Sequence, residues 1–97
     1  MRVEKTDEFR AWLDGLTDPV TRARVQMRIE RLIHGNPGQH RNLPNGVSEL
    51  KIDLGPGYRV YYSQRRNGLL VLLGGGDKSS QQRDIARAGR LARDIRD

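Results

Sequence analysis

Five consecutive aliphatic residues, Leu69 to Leu73, run directly into Gly74-Gly75-Gly76. No other stretch constrains the fold as much. An apolar run of this length has no polar face to offer water, so it predicts an inner strand covered on both sides. The three glycines then release the chain into Asp77-Lys78 and a helix. The strands before it read differently. Leu50, Ile52 and Leu54 alternate with Glu49, Lys51 and Asp53, and Tyr58, Val60 and Tyr62 alternate with Arg59, Tyr61 and Ser63. A period of two puts one set of each strand toward a core and the other on a polar face. Gly55-Pro56-Gly57 joins these two strands, with Pro56 fixing φ and Gly57 taking the positive φ of a type II turn. Asn67-Gly68 predicts the hairpin into the apolar strand.

Helices flank this stretch. Met1 to Lys5 fits a short edge strand with Val3 inward, and Thr6 then caps a helix whose first turn carries Asp7 and Glu8. Phe9, Trp12, Leu13 and Leu16 recur at helical spacing, so the single Trp belongs to the core. Asp18 and Pro19 open a second helix that Gly35 and Pro37 close, with Val25, Ile29, Leu32 and Ile33 on its apolar face. Arg24, Arg28 and Arg31 line another face of it. Asn36 to Val47, with His40 and Arg41, reads as a loop from its Gly, Pro and Asn content. Ser79 and Gln82 have the spacing of a capping box for a last helix, in which Ile85, Ala88, Ala92 and Ile95 oppose Arg83, Arg87 and Arg90. The expectation is one α+β domain spanning residues 1–97, two N-terminal helices and a C-terminal helix around a twisted, mainly antiparallel sheet. Leu50, Ile52, Val60, Leu70 and Leu72 should be buried and Arg59 should lie on an exposed or concave face.

The 97 residues suffice for one small core without staples, and there is no Cys for a disulfide or a thiolate metal site. With two isolated His, a structural zinc site is not expected either. No leader-like apolar run and no span of about 20 apolar residues is present, which fits a cytoplasmic protein with no membrane partner. The net charge of +6 comes from 18 Lys and Arg against 12 Asp and Glu, and 15 of the 18 are Arg. Planar guanidinium groups bind phosphate or carboxylate through paired hydrogen bonds, so an anionic partner suits the chain. Nucleic acid and an acidic protein both meet that requirement.

RNA can be cut without a metal or cofactor when its 2′-hydroxyl attacks the neighbouring phosphorus, cations hold the phosphoryl oxygens and an acid protonates the leaving oxygen. Lys51 and Arg59 fall on the polar face of adjacent strands, so their side chains can converge. Lys78 lies at the start of the last helix, where backbone N–H groups favour an anion. These three make a phosphate cradle, with Tyr61, Asp84, His40 or Lys51 available for proton transfer. Arg24, Arg28, Arg31, Arg83 and Arg87 are the candidates for docking RNA away from the chemistry. Arg59 could equally serve as an ion-pair partner for Glu49 or Asp53.

Glu49-Leu50-Lys51-Ile52, Gly55-Pro56-Gly57-Tyr58-Arg59-Val60-Tyr61 and Leu72-Leu73-Gly74-Gly75-Gly76-Asp77-Lys78-Ser79-Ser80-Gln81 resemble the RelE/ParE superfamily of bacterial toxins. The likeness is greatest to its branch of addiction module killer proteins, related to the HigB toxins, and Thr6 to Leu16 resembles the same branch. The resemblance implies a small RelE-like fold and the toxin of a type II toxin–antitoxin module. It further implies a metal-independent, ribosome-dependent mRNA endonuclease, neutralised by a cognate antitoxin whose complex sets the oligomeric state. Arg59 matches a basic active-face position of those endonucleases, Lys78 matches another, and Lys51 matches after one residue of slippage. Asp53 and the lack of a Tyr or His after Lys78 depart from the pattern. Two alternatives follow from that departure: a non-enzymatic toxin that binds a protein target such as DNA gyrase, and an RNA-binding domain without toxicity.

Overall fold

The computed structural model describes residues 2–95. Strands β1 (Arg2–Lys5), β2 (His40–Asn42), β3 (Ser48–Ile52), β4 (Tyr58–Gln64) and β5 (Leu69–Asp77) form one sheet in the order β1-β5-β4-β3-β2. β2, β3, β4 and β5 pair antiparallel, and β1 pairs parallel with β5. Helices α1 (Asp7–Asp14) and α2 (Pro19–Ile33) precede most of the sheet, and α3 (Gln81–Asp94) follows it. The α+β architecture is therefore the one the sequence predicts. Met1, placed by the sequence in the first strand, lies outside the described residues.

β5 sits between two packed layers because its side chains are apolar on both faces. Leu70 and Leu72 join Leu50, Ile52, Val60 and Tyr62 under Phe9 of α1 and Val25, Ile29 and Leu32 of α2. Leu69, Val71 and Leu73 turn the other way, to Val47, Tyr61 and the buried Ala88 and Ala92 of α3. The small residues of α3 let that helix lie close to the sheet. Thr6 fixes the entry to α1 twice over: its hydroxyl oxygen accepts from the Phe9 N–H at 3.0 Å and its hydroxyl donates to the Leu73 carbonyl at 2.7 Å. Asp18 caps α2 through the Thr21 N–H at 3.0 Å, with Pro19 in the first turn.

Four local features differ from the sequence expectation. Residues His40 to Asn42, expected in a loop, form the edge strand β2 beside Leu50, Glu49 and Ser48. The β3–β4 turn closes one residue early, with the Gly57 N–H donating to the Leu54 carbonyl at 3.0 Å. Gly55, at φ 54, therefore takes the first central position of that turn, and Gly57, at φ 81, follows it. The capping box before α3 uses Asp77 and Ser80 instead of Ser79 and Gln82, because a short 3-10 turn, Lys78–Ser80, intervenes. Arg28 is not a surface cation free to dock RNA. Its Nη1 donates to the Lys51 carbonyl at 2.7 Å and its Nη2 to the Pro37 and Gln39 carbonyls at 3.1 Å, so it ties α2 to β3 and to the segment entering β2. Burial lowers its pKa, and Arg31 and Arg24 add repulsion.

Candidate nucleic-acid interface

Two rules of strand geometry build a basic cleft at the α3 side of the β2–β3–β4 ladder. Residues directly opposite in a ladder share a face, and alternate residues along a strand share it too. Lys51 stands opposite Arg59, Glu49 opposite both Tyr61 and Arg41, and Leu50 and Val60 point away into the core. The edge strand β2 thus adds Arg41 to the face where Lys51 and Arg59 meet. Gln39, His40, Arg41, Glu49, Lys51, Arg59 and Gln81 line the resulting cavity of about 370 Å³. Three cations face one carboxylate there.

Glu49 is the fixed point of the cleft; the sequence marks it only as a possible partner of Arg59, and its burial and its bonds to Arg41 and Gln81 come from the fold. Its side chain is 3% exposed, yet it accepts at Oε1 from Arg41 Nε at 2.8 Å and at Oε2 from Gln81 Nε2 at 2.9 Å. Burial alone raises a carboxylate pKa; here the Gln81 and Arg41 hydrogen bonds and the Arg41 charge outweigh it and hold Glu49 below the ordinary value. Arg59 Nε lies 3.8 Å from the same Oε1, an ion pair too long for a hydrogen bond. That nitrogen is buried and, among the described residues, has no hydrogen-bond partner, while Arg59 Nη1 donates to the Tyr58 carbonyl at 3.3 Å. Glycine backbone makes room for the guanidinium, since a Cβ at Gly57 would stand 3.1 Å from Arg59 Nη1.

The structure brings Lys51, Arg59 and the unexpected Arg41 together, and sets the other candidates apart. Arg59 is 5% exposed, so it forms the floor of the cleft instead of projecting from it, and the expected alternative role as a partner of Glu49 is realised. Lys78 is exposed at the head of the 3-10 turn and faces the neighbouring depression with Ser79, Gln82 and Arg83. Tyr61, expected on an accessible polar face, is completely buried under α3 with Val47, Leu73, Ala88 and Ala92. Among the described residues its hydroxyl makes no hydrogen bond of good geometry, although the Glu49 carboxylate is near enough to interact with it; burial, and then Glu49 and Asp84, push its pKa well above the usual phenol value. A phenol so placed stays protonated and cannot act as a base. Asp84 accepts from Ser80 Oγ at 2.5 Å above the bare backbone of Gly76. His40 pairs with Leu50 in the ladder and borders the cleft at its β2 edge, with its Nδ1 at 2.8 Å from the Gly38 carbonyl.

Arg24, Arg31, Arg83 and Arg87 are exposed on helices α2 and α3. Among the described residues no group of three or more His, Asp and Glu is arranged to hold a metal ion, and no helix is long and apolar enough to cross a membrane. What the cleft can do chemically is bind an anion: guanidinium and ammonium groups converge, and a buried donor there lacks an acceptor.

No protein-family model matches the chain. A protein of Haemophilus influenzae, described as an uncharacterized protein, is 40% identical over 95 residues, which cover 98% of this chain and 96% of the relative. At that identity and near-complete coverage of both sequences, the chain belongs to the family of this Haemophilus influenzae protein.

Proposed function

We propose that the chain is the toxin of a type II toxin–antitoxin module of the RelE/ParE superfamily, acting in the cytoplasm as a ribosome-dependent, metal-independent mRNA endonuclease. The observation that carries this reading is the cleft in which Arg41, Lys51 and Arg59 face one another across three strands with a single carboxylate among them. An RNA phosphodiester placed there meets two guanidinium groups and an ammonium, the charge a pentacovalent phosphorus needs. Lys78, exposed in a separate depression that shares Gln81 with the cleft, adds positive charge nearby, and Arg83 and Arg87 extend it along α3. A cognate antitoxin would neutralise the toxin by covering this basic face with acidic side chains.

One observation favours a second reading. Arg59 is buried against Glu49, and Tyr61 is buried beneath α3. A toxin that binds a protein such as DNA gyrase needs neither an exposed arginine nor a proton donor in that cleft. The test is to add the purified chain to a cell-free translation reaction and map RNA ends, with a gyrase supercoiling assay in parallel. New RNA ends that need translating ribosomes support the nuclease; inhibition of supercoiling without them supports the second reading.

A further inference from the structure

We propose that Arg41 and Arg59 form a two-guanidinium clamp for one phosphodiester, with Glu49 as the positioning residue, holding Arg41 by a hydrogen bond at Nε and drawing Arg59 in by charge. Both Nε atoms are directed at the same carboxylate oxygen, Arg41 at 2.8 Å and Arg59 at 3.8 Å, while Gln81 fixes the other oxygen at 2.9 Å. Arg41 is gripped at the inner end of its guanidinium by a hydrogen bond, and Arg59 is drawn to the same oxygen by charge alone. Among the described residues, Arg41 Nη1 and Nη2 and Arg59 Nη2 donate to no protein acceptor, so the outer ends remain available to a ligand in the cleft they line. A guanidinium held at Nε presents its terminal nitrogens in a fixed plane, which suits the paired oxygens of a phosphodiester. A monoanion bridging the two arginines would also balance the cleft, where Arg41, Lys51 and Arg59 outnumber Glu49.

The identity of the ligand as RNA rests on the functional reading above; the clamp itself rests on the geometry. A plain ion pair makes the opposite prediction, which is what allows a test. If Glu49 merely neutralises two cations, its removal adds positive charge and strengthens binding of any anion. If Glu49 positions them, its removal weakens binding despite the added charge. In Glu49→Gln the charge is lost and one acceptor oxygen becomes an NH2 donor, so the amide holds Arg41 through a neutral hydrogen bond at most and no longer draws in Arg59.

The experiment is fluorescence anisotropy at fixed salt with a short 2′-O-methyl RNA oligonucleotide, which binds but cannot be cut through its 2′ position. Glu49→Gln should weaken binding about tenfold, and Arg41→Ala about tenfold or more, the scale for losing a hydrogen bond to a charged group. The double variant should lose little beyond the larger single effect, because both changes disable one unit. Equal or tighter binding by folded Glu49→Gln, or unchanged binding by Arg41→Ala, overturns the clamp. Should Glu49→Gln fail to melt as a folded protein, Arg41→Ala decides alone, since its side chain is 56% exposed and carries no core packing. A wild type that binds no oligonucleotide overturns clamp and RNA reading together. A wild type that binds it through both residues but cuts no ribosome-bound mRNA overturns the nuclease reading and leaves the clamp standing.

Discussion

Three neighbouring glycines in β5 should respond very differently to the same added methyl group. At Gly74 a Cβ would meet no atom within 4 Å, at Gly75 it would enter the ring of Trp12, and at Gly76 it would run into the Asp84 carboxylate and lie 2.8 Å from Ser80 Oγ. None of the three has a positive φ, so alanine is compatible with the backbone at each. Gly74→Ala should then stabilise slightly, by about 0.4–1 kcal/mol, through the reduced freedom of the unfolded chain. Gly75→Ala must expel the indole, which packs against the core that Phe9 helps to form. An aromatic side chain buries about 150–250 Å². Exposing about 100–150 Å² of it at about 25 cal/mol per Å² costs about 2.5–4 kcal/mol. With the entropy gain subtracted, the net loss is about 2–3 kcal/mol, which lowers the melting temperature by about 8–20 °C in a domain of this size. Gly76→Ala should fall between, because Asp84 can swing aside at the loss of its hydrogen bond from Ser80. Thermal melting by circular dichroism measures all three, and the single Trp provides a second probe. Its emission should move to longer wavelength in Gly75→Ala alone. If Gly75→Ala melts with Gly74→Ala and the emission is unchanged, the packing of Trp12 on bare backbone is wrong.

Other outcomes follow from the same contacts. Arg28→Ala should lower stability by about 2–4 kcal/mol, since three carbonyls lose their donor. Arg24→Ala and Arg31→Ala should leave melting nearly unchanged and weaken ribosome binding in a way that fades at high salt, which a salt titration of binding checks. Tyr61→Phe should change the melting temperature little and leave RNA cleavage intact, because among the described residues the hydroxyl makes no hydrogen bond of good geometry and it lies under α3. Glu49 has its folded-state pKa below the unfolded value of 4.5. Its contribution to stability is present above that value and is lost as pH falls through the lower folded pKa, so acid unfolding monitored by circular dichroism should show a shallower pH dependence in Glu49→Gln than in wild type.

The sheet strands, helices and core were legible because each rests on local period. The run Leu69 to Leu73 demanded two covering layers, and the layers are α1 with α2 on one side and α3 on the other. β2 was not legible, since a three-residue edge strand between Gly38 and Pro44 has no period to detect and owes its existence to pairing with β3. The parallel direction of β1 could not be read either, because it depends on where the helical hairpin returns the chain. In the cleft, Lys51 and Arg59 followed from strand alternation. Arg41 required knowing that β2 exists, and Gln81 required knowing that the 3-10 turn sets α3 back by one turn. Glu49 looked like any solvated strand residue, and only the helix lying over it makes it buried. Tyr61 shows the same limit from the other side: alternation placed it on the polar face, but α3 converts that end of the face into a second core.

On the proposed nuclease reading, Arg59 stabilises the charge developing on phosphorus. That role is tested most directly by the single-turnover rate of mRNA cleavage on saturating, translating ribosomes, compared between wild type and folded Arg59→Ala. The expected result is a rate about 100- to 1000-fold lower in the variant, the scale for losing one preorganised donor, with little recovery in Arg59→Lys. A wild type that produces no cleavage under these conditions, or an Arg59→Ala variant that cleaves at the wild-type rate, contradicts it.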